Sequence, residues 1–439
     1  VEPHIALGFE LNDFQKAPGA KHPGLFFCLK KLLFERITMK HPLERNIPIL
    51  YLFMFFWLAL VIIPVMVPFF QSRGLSVADV YYLQAFFALI VVLCEVPSGY
   101  IADVMGRKTA LMIGSFFHAA GFTWLCFTES FVGLIVFEGL VAVAISLFSG
   151  ADLSMLYDTQ EALGHGPEEK SRGIANMRFV KSIAEGSAAL LGGFLVVYSF
   201  DAVVLANAIF AWGPLALVFF LREPPYSKMD SSQAFVNLKG IVRFLYFGDD
   251  LMRLICLNTT LFSLATFYVV WMLQPYWAEQ GIPLIYFGVL WAAQSFVIAA
   301  ASKLCIPLEK RFGPGVILIL MGVLPAVGYF GMSAAEGLIG IGLSFAFFIS
   351  RGLNQVLMAD ALNKRTPSSF RATANSIVSF MFRGIYIVTG PMVGFLIGWQ
   401  GMGITLAALG GLVIVVCALC LLPLLRAVKA LDPAQPVSV

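Results

Sequence analysis

Gly99-Tyr100-Ile101-Ala102-Asp103-Val104-Met105-Gly106-Arg107-Lys108 is a charged knot between two long runs dominated by aliphatic and aromatic residues. An anion, a glycine and two cations follow one another within a few residues. Gly106 suits a sharp reversal, because a residue without Cβ takes backbone conformations closed to others. Gly99 is expected to let neighbouring helix backbones approach closely. Arg107 and Lys108 are expected to hold anions of a membrane surface or a nearby carboxylate such as Asp158. The knot reads as a tight turn between two membrane-crossing helices.

Composition agrees. The chain has 439 residues, of which 59% are hydrophobic and 13% charged. Soluble domains run at roughly 45–50% apolar and about 25% charged. That much apolar surface calls for a bilayer, and a spanning helix needs about 20 mostly apolar residues. The formal net charge of +3 gives no support to nucleic-acid binding. The seven cysteines are scattered, mostly inside apolar runs, and Cys417 and Cys420 form a lone C-x-x-C in the last run. They read as lipid-embedded filler rather than metal or redox centres.

Apolar runs set against charged breaks predict an all-α membrane protein of twelve spans, at 47–70, 78–102, 109–127, 131–158, 172–198, 201–221, 251–278, 284–305, 314–333, 337–360, 369–398 and 401–425. Residues 1–46 form a lead segment whose stretch 24–33 is basic and amphipathic. Met39 opens an ordinary short lead-in, so residues 1–38 are read as a loose tail or an extension ahead of it. The expected organisation is a six-helix unit over 47–221, a polar linker over 222–250, a second six-helix unit over 251–425 and a tail over 426–439. Arg107, Lys108, Lys170, Arg172, Arg222 to Arg243, Lys310, Arg311, Lys364, Arg365, Arg371, Arg426 and Lys429 all fall on one side, and Arg73 is the lone basic residue in loops on the other. Basic residues stay on the cytoplasmic side. Both termini are therefore expected in the cytoplasm, in a cell membrane.

Two echoes point to duplication. Pro68-Phe69-Phe70-Gln71-Ser72-Arg73-Gly74-Leu75 and Pro275-Tyr276-Trp277-Ala278-Glu279-Gln280-Gly281-Ile282 share a proline, two aromatics and a glycine before an aliphatic residue. Arg172-Gly173-Ile174-Ala175-Asn176 and Arg371-Ala372-Thr373-Ala374-Asn375 share R-x-x-A-N at the start of the fifth and eleventh spans. Parallel repeats around a central substrate site are one of the transporter plans.

The G-x-x-x-D-x-x-G-R-K pattern at 99–108 resembles the loop between helices 2 and 3 of the major facilitator superfamily, and the resemblance covers roughly residues 47–425. Glu95-Val96-Pro97-Ser98-Gly99, Ser149-Gly150-Ala151-Asp152, Leu156-Tyr157-Asp158 and Gln274-Pro275-Tyr276 are similar to bacterial multidrug-efflux-like members. The resemblance implies two six-helix halves working by alternating access. It places Asp103 against the N-terminus of helix 11, where exposed amides carry partial positive charge, as a latch closed when the inside is shut. The gating set is then Gly99, Asp103, Gly106, Arg107 and Lys108. The chain departs from drug–proton antiporters in two places. Leu134-Ile135-Val136-Phe137-Glu138-Gly139 carries an acid where they often carry an arginine, and the fifth span holds no proline.

Ionisable groups within a membrane are candidates for function. Arg178, Lys181 and Glu185 share one face of the fifth span. Arg178 and Asp152 are expected to pair across adjacent spans, and Lys181 and Glu185 to neutralise each other. Glu138, Glu185 and Glu95 are the proton-coupling candidates. Glu138 comes first because no base lies within four residues of it and the resemblance gives its span a place on the cavity. Arg351, Arg383, Trp57, Tyr268, Trp271 and Gln274 are the cavity and substrate candidates. Arg383 is long enough to reach Glu95, and Arg351 to reach Glu138. His118 is expected to be a satisfied structural residue.

Gly340-Ile341-Gly342 lies inside an apolar span and is no phosphate loop. No nucleophile–base pair or metal-ligand spacing occurs, so neither an enzyme nor a cofactor is expected. The expected function is a monomeric secondary transporter in contact with membrane lipids, exporting small amphiphilic compounds in exchange for protons. The alternatives are uptake of a small polar or anionic solute, and a non-transporting receptor or scaffold on the same fold.

Overall fold

A computed structural model describes residues 41–225, 240–366 and 371–430, together with all side chains there except those of Val96, Asp103, Arg371 and Ala372. All secondary structure among the described residues is helical. Nine helical stretches there are long and apolar enough to cross a membrane by length and composition. Three further crossings complete twelve. Arg107–Leu125 starts with two cations and Pro167–Leu195 carries a ladder of charges, which lowers their mean hydropathy. Arg371–Ala430 is two spans parted at Gly401.

Span 1 is built from Asn46–Leu58 and Met66–Ser72, span 2 is Val77–Val104, and span 3 is Arg107–Leu125. Span 4 is Phe131–Phe148 with Ala151–Ala162, span 5 is Pro167–Leu195, and span 6 is Phe200–Ala211 with Gly213–Val218. Span 7 is Asp250–Phe267 with Val270–Glu279, followed by spans 8 (Ile285–Phe312), 9 (Pro314–Ala334) and 10 (Gly337–Arg365). Spans 11 and 12 occupy 371–400 and 402–430. Short polar residues set the starts. Ser76 and Asp79 form a reciprocal capping box on span 2, and Ser130, Ser199 and Asp249 cap spans 4, 6 and 7. Each cap satisfies amides that the first helical turn leaves free.

An even number of crossings puts both described chain ends and the 2–3 loop on one face, called the terminal face below. The opposite face is the distal one. Residues 240–248, assigned above to the linker, are helical, and they bury Ile241 and Leu245 in one apolar cluster with residues of spans 7 to 12. That part of the linker therefore belongs to the packed body.

The breaks in spans 1 and 7 shape the centre. After Leu58 the chain leaves the helix, and Pro64 and Pro68 have no N–H to give. Other spans satisfy the freed backbone. Asn207 on span 6 accepts the N–H of Ile62 at 3.1 Å. Gln274 on span 7 accepts the N–H of Val67 at 2.9 Å and donates to the carbonyl of Ile63 at 2.8 Å. Irregular backbone at membrane depth survives only where protein satisfies it in this way.

The distal ends of the two six-span groups are in direct contact. Tyr81 on span 2 donates its hydroxyl to the Tyr268 carbonyl on span 7. Spans 5 and 8 touch backbone to backbone at Gly193 and Gly288. A Cβ on Gly193 would lie 2.7 Å from the Ile285 carbonyl oxygen and 3.0 Å from the Gly288 Cα. A Cβ on Gly99, toward the terminal face, would meet no described atom within 4 Å, so the close helix approach expected there is not seen among the described residues. Spans 2 and 11 are joined near their distal ends, at Tyr81 and Gly394.

Candidate functional site

The 2–3 loop is anchored by a residue the sequence reading left in the linker. Gly106 has φ 102° and opens span 3. The Glu223 carboxylate, just beyond span 6, accepts the N–H groups of Arg107 and Lys108 at 2.7 and 2.8 Å. It thus caps a helix start with a full negative charge, where the helix dipole favours one. A side chain on Gly106 would need a strained φ and would approach that carboxyl to 3.0 Å. Arg107 Nε lies 3.7 Å from Asp158 Oδ2 on span 4, and Lys108 Nζ donates to the Phe219 carbonyl at 3.3 Å. The loop therefore ties together spans 3, 4 and 6. The side chain of Asp103 lies outside the described residues, as does that of Arg371 at the start of span 11.

Between the two groups lies a cavity of about 750 Å³, lined by spans 1, 5, 7, 8 and 10. Ser302 and Gln355 on its wall stand ten residues, about 15 Å, from the terminal-face ends of spans 8 and 10. The distal contacts described above lie between it and the distal face. Leu58, Trp291, Ile298 and Phe348 form apolar wall, while Arg178, Lys181, Glu185 and Arg351 bring charge.

The charges are unevenly matched. Lys181 Nζ and Glu185 Oε1 are 3.8 Å apart, one turn along span 5. Arg178 forms no ion pair with Asp152, against expectation. The physical reason is a break in span 4. Gly150 adopts φ 81°, a new helix starts at Ala151, and Asp152 sits in its first turn, accepting the N–H of Leu153 at 2.7 Å. Arg351 gives Nη2 to the Thr266 carbonyl at 2.6 Å, close to the break in span 7, and Nε to the Thr266 hydroxyl at 3.4 Å. Among the described residues, neither hydrogen bond nor ion pair joins it to Glu138 or any other carboxylate. Gln294 on span 8, 2% exposed, lies on the same wall with its amide nitrogen unpartnered. The sequence reading missed it, although a glutamine inside Trp291-Ala292-Ala293-Gln294-Ser295 is a polar residue in an apolar run.

Four other cavity candidates are not on this wall. Gln274 and Tyr268 are used in the distal closure, the latter also meeting the Thr389 hydroxyl at 2.6 Å. Trp271 packs edge-on against Phe267, and Trp57 packs on Phe148 with ring centroids 4.7 Å apart. Of these aromatics, Tyr268 serves the closure, Trp57 packs on span 4 and Trp271 packs on its own span. Arg383 on span 11 is also off the wall and feels the charge of Glu95 on span 2. The two do not touch, and Glu95 Oε2 and Arg383 Nε have no hydrogen-bond partner.

Glu138 is 2% exposed and lies outside the cavity lining. Its carboxyl accepts a hydrogen bond from Gln84 Nε2 on span 2 at 2.8 Å, and Tyr386 on span 11 is an electrostatic neighbour. His118 is buried, with Nδ1 3.4 Å from the Ala211 carbonyl and its ring edge-on to Phe122.

The family model described as Major Facilitator Superfamily matches residues 49–391. YxaM of Bacillus subtilis (strain 168), an MFS-type transporter, is 22% identical over 375 residues, covering 82% of this chain and 90% of its own length. The nucleoside transporter NupG superposes with a TM-score of 0.71 at 14% identity, over 88% of this chain and 99% of that one. A bacterial homologue of the human lysosomal transporter Spinster, in an inward-facing and unoccupied conformation, gives 0.70 at 16% identity, over 89% and 98%. A D-xylose–proton symporter gives 0.62 at 13% identity, over 84% and 96%. These distant likenesses concern the fold. With the family match spanning most of the chain, the twelve spans, the 2–3 loop and the central cavity have one source: the chain belongs to the major facilitator superfamily and is a multi-pass membrane transporter, not an enzyme.

Proposed function

We propose that this transporter moves a small organic solute by alternating access, with the two six-span groups rocking about the central cavity. Its terminal face is cytoplasmic, as the basic residues there favour, so the conformation described above is open to the inside. The observation that carries this reading is the asymmetry of the cavity. The cavity lies at mid-depth, and Gln274, Tyr81 and the Gly193–Gly288 contact join the two groups between it and the distal face. A fixed pore would leave both ends open.

In this reading the protein works as a monomer in the cell membrane and exports amphiphilic compounds in exchange for protons. The apolar wall of Leu58, Trp291, Ile298 and Phe348 suits an amphiphile. Glu138 is the proton carrier, since its burial with an amide and no cation beside it makes its proton sensitive to opening of the distal side. Uptake of a small polar or anionic solute is the second reading, favoured by Arg351, which no carboxylate neutralises. The test is accumulation of a chemical panel in cells with and without the protein at several external pH values. Lower accumulation that depends on an inward proton gradient supports export. Higher accumulation selects uptake, and no change for any compound at any pH contradicts transport of such solutes.

A further inference from the structure

The cavity carries three cations against one carboxylate, and its single ion pair, Lys181 with Glu185, leaves Arg178 and Arg351 uncompensated. Arg351 is held in place rather than neutralised. Thr266 takes Nε and Nη2, and Nη1 makes no hydrogen bond. Gln294 adds a second free donor on the same wall, its Nε2 buried without a partner. A buried donor without an acceptor is costly unless something supplies one. The free guanidinium nitrogen and, after rotation of its covered amide, Gln294 Nε2 can each give a hydrogen bond to a head group with two acceptor oxygens, and guanidinium favours a planar carboxylate. The rest of that wall offers Trp291, Ile298 and Phe348 to an apolar body.

Resting on the reading that this cavity is the transport site, we propose that its substrates are amphiphilic organic monoanions. Their carboxylate is received by Arg351 and Gln294 and their apolar body lies on Trp291 and Phe348. The lysine–glutamate pair leaves an excess of two cations, Arg178 and Arg351, so an anion at Arg351 lowers that excess and a cation is repelled. Direction of transport does not enter this assignment.

The test uses the purified full chain in nanodiscs and three acids: octanoate, 4-phenylbutyrate and indole-3-acetate. Each is compared with its amide and with the amine of the same carbon skeleton. Binding is read by the shift in thermal unfolding and by tryptophan quenching, with Trp291→Phe assigning the quench to the cavity. At least one acid is expected to bind about tenfold tighter than its amide and its amine. That preference is expected to vanish in Arg351→Gln and to recover in part in Arg351→Lys. Gln294→Glu keeps the arginine and the side-chain size. It is expected to abolish acid binding, so the proposal stays testable if Arg351→Gln does not fold. Amides or amines binding as well as the acids, with the quench at Trp291, would overturn the anion assignment and leave the transport site standing. An acid preference that survives both Arg351→Gln and Gln294→Glu would overturn it too. If no compound of any charge binds, the cavity is not a site for solutes of this size, and the underlying reading falls with the proposal.

Discussion

The side-chain amide of Gln274 on span 7 is hydrogen-bonded to the backbone N–H of Val67 on span 1, across the interface between the two six-span groups. The same amide donates to the Ile63 carbonyl, so one side chain repairs the break in span 1 and closes the distal side of the cavity. Local backbone chemistry and the conformational state of the molecule are joined there.

Gln274→Leu keeps the volume and removes both bonds. A net contribution of about 0.5–1.5 kcal/mol for each bond makes the distal closure roughly tenfold less favoured or more. Met66, 5% exposed inside that closure, reports on it. In a background with native cysteines replaced, Met66→Cys is expected to react with a membrane-impermeant maleimide added on the distal side about tenfold faster once Gln274 is leucine. Unchanged reactivity would mean the amide is a local repair and not a gate.

Gly106 and Glu223 make a second junction of this kind. Gly106→Ala has to hold alanine at φ 102°, ψ 155° with its Cβ 3.0 Å from the Glu223 carboxyl, at a cost of roughly 1–3 kcal/mol for the backbone alone. Glu223→Ala removes the acceptor for two amides at a helix start, about 0.5–2 kcal/mol. Both variants are expected to unfold at lower temperature in detergent. Glu223→Ala is expected to relieve part of the defect in Gly106→Ala, because it empties the space the new methyl meets. Strict additivity in the double variant would show that the two residues act separately.

Glu95 and Arg383 face each other across spans 2 and 11 without forming an ion pair in the conformation described. Closing the terminal side brings these spans together, so the pair is expected to form in the other state. Glu95→Gln and Arg383→Gln should each slow transport while leaving expression nearly intact. The exchanged double variant, Glu95→Arg with Arg383→Glu, should regain a substantial part of the rate. Failure of the exchange to recover any transport would remove the pair from the closing step.

Glu138→Gln is expected to retain solute binding and lose transport driven by a pH gradient in proteoliposomes, since its amide can keep a hydrogen bond to Gln84 but cannot give up a proton. Glu185→Gln is expected to leave the unfolding temperature nearly unchanged. The side chains of Lys181 and Glu185 are 51% and 37% exposed, and exposed pairs of this kind contribute about 0–1 kcal/mol. Full pH-driven transport by Glu138→Gln would move the carrier to Glu185 or Glu95.

The crossings were legible because each is a long apolar run ended by charge or glycine, a signal carried by neighbouring residues. Even span 5, with Arg178, Lys181 and Glu185 on one face, could be recognised, because its charges point into a cavity and the rest of its surface stays apolar. Arg351 and the span 5 ladder stood out by the cost of charge in a membrane, and all four charges lie on the cavity wall. The partners were not legible. Asp152 and Arg178 sit at similar depth on adjacent spans, yet the turn at Gly150 spends Asp152 on a helix start. Glu223 looked like one more linker charge because its two amide donors lie more than a hundred residues earlier. Gln274 looked like a cavity residue for the same reason, since the need it meets is created by a break in another span.

The central claim is reciprocal opening of the two faces, and paired distance measurements test it most directly. Spin labels at Ser72 and Glu279 report the distal ends of spans 1 and 7, and labels at Lys170 and Arg311 report the terminal-face ends of spans 5 and 8. In nanodiscs, double electron–electron resonance should find a short distal distance with a long terminal-face distance as one population. Gln274→Leu should enrich a second population in which both are reversed. A distal distance that stays fixed while the terminal-face distance varies, or two distances that lengthen together, would contradict alternating access.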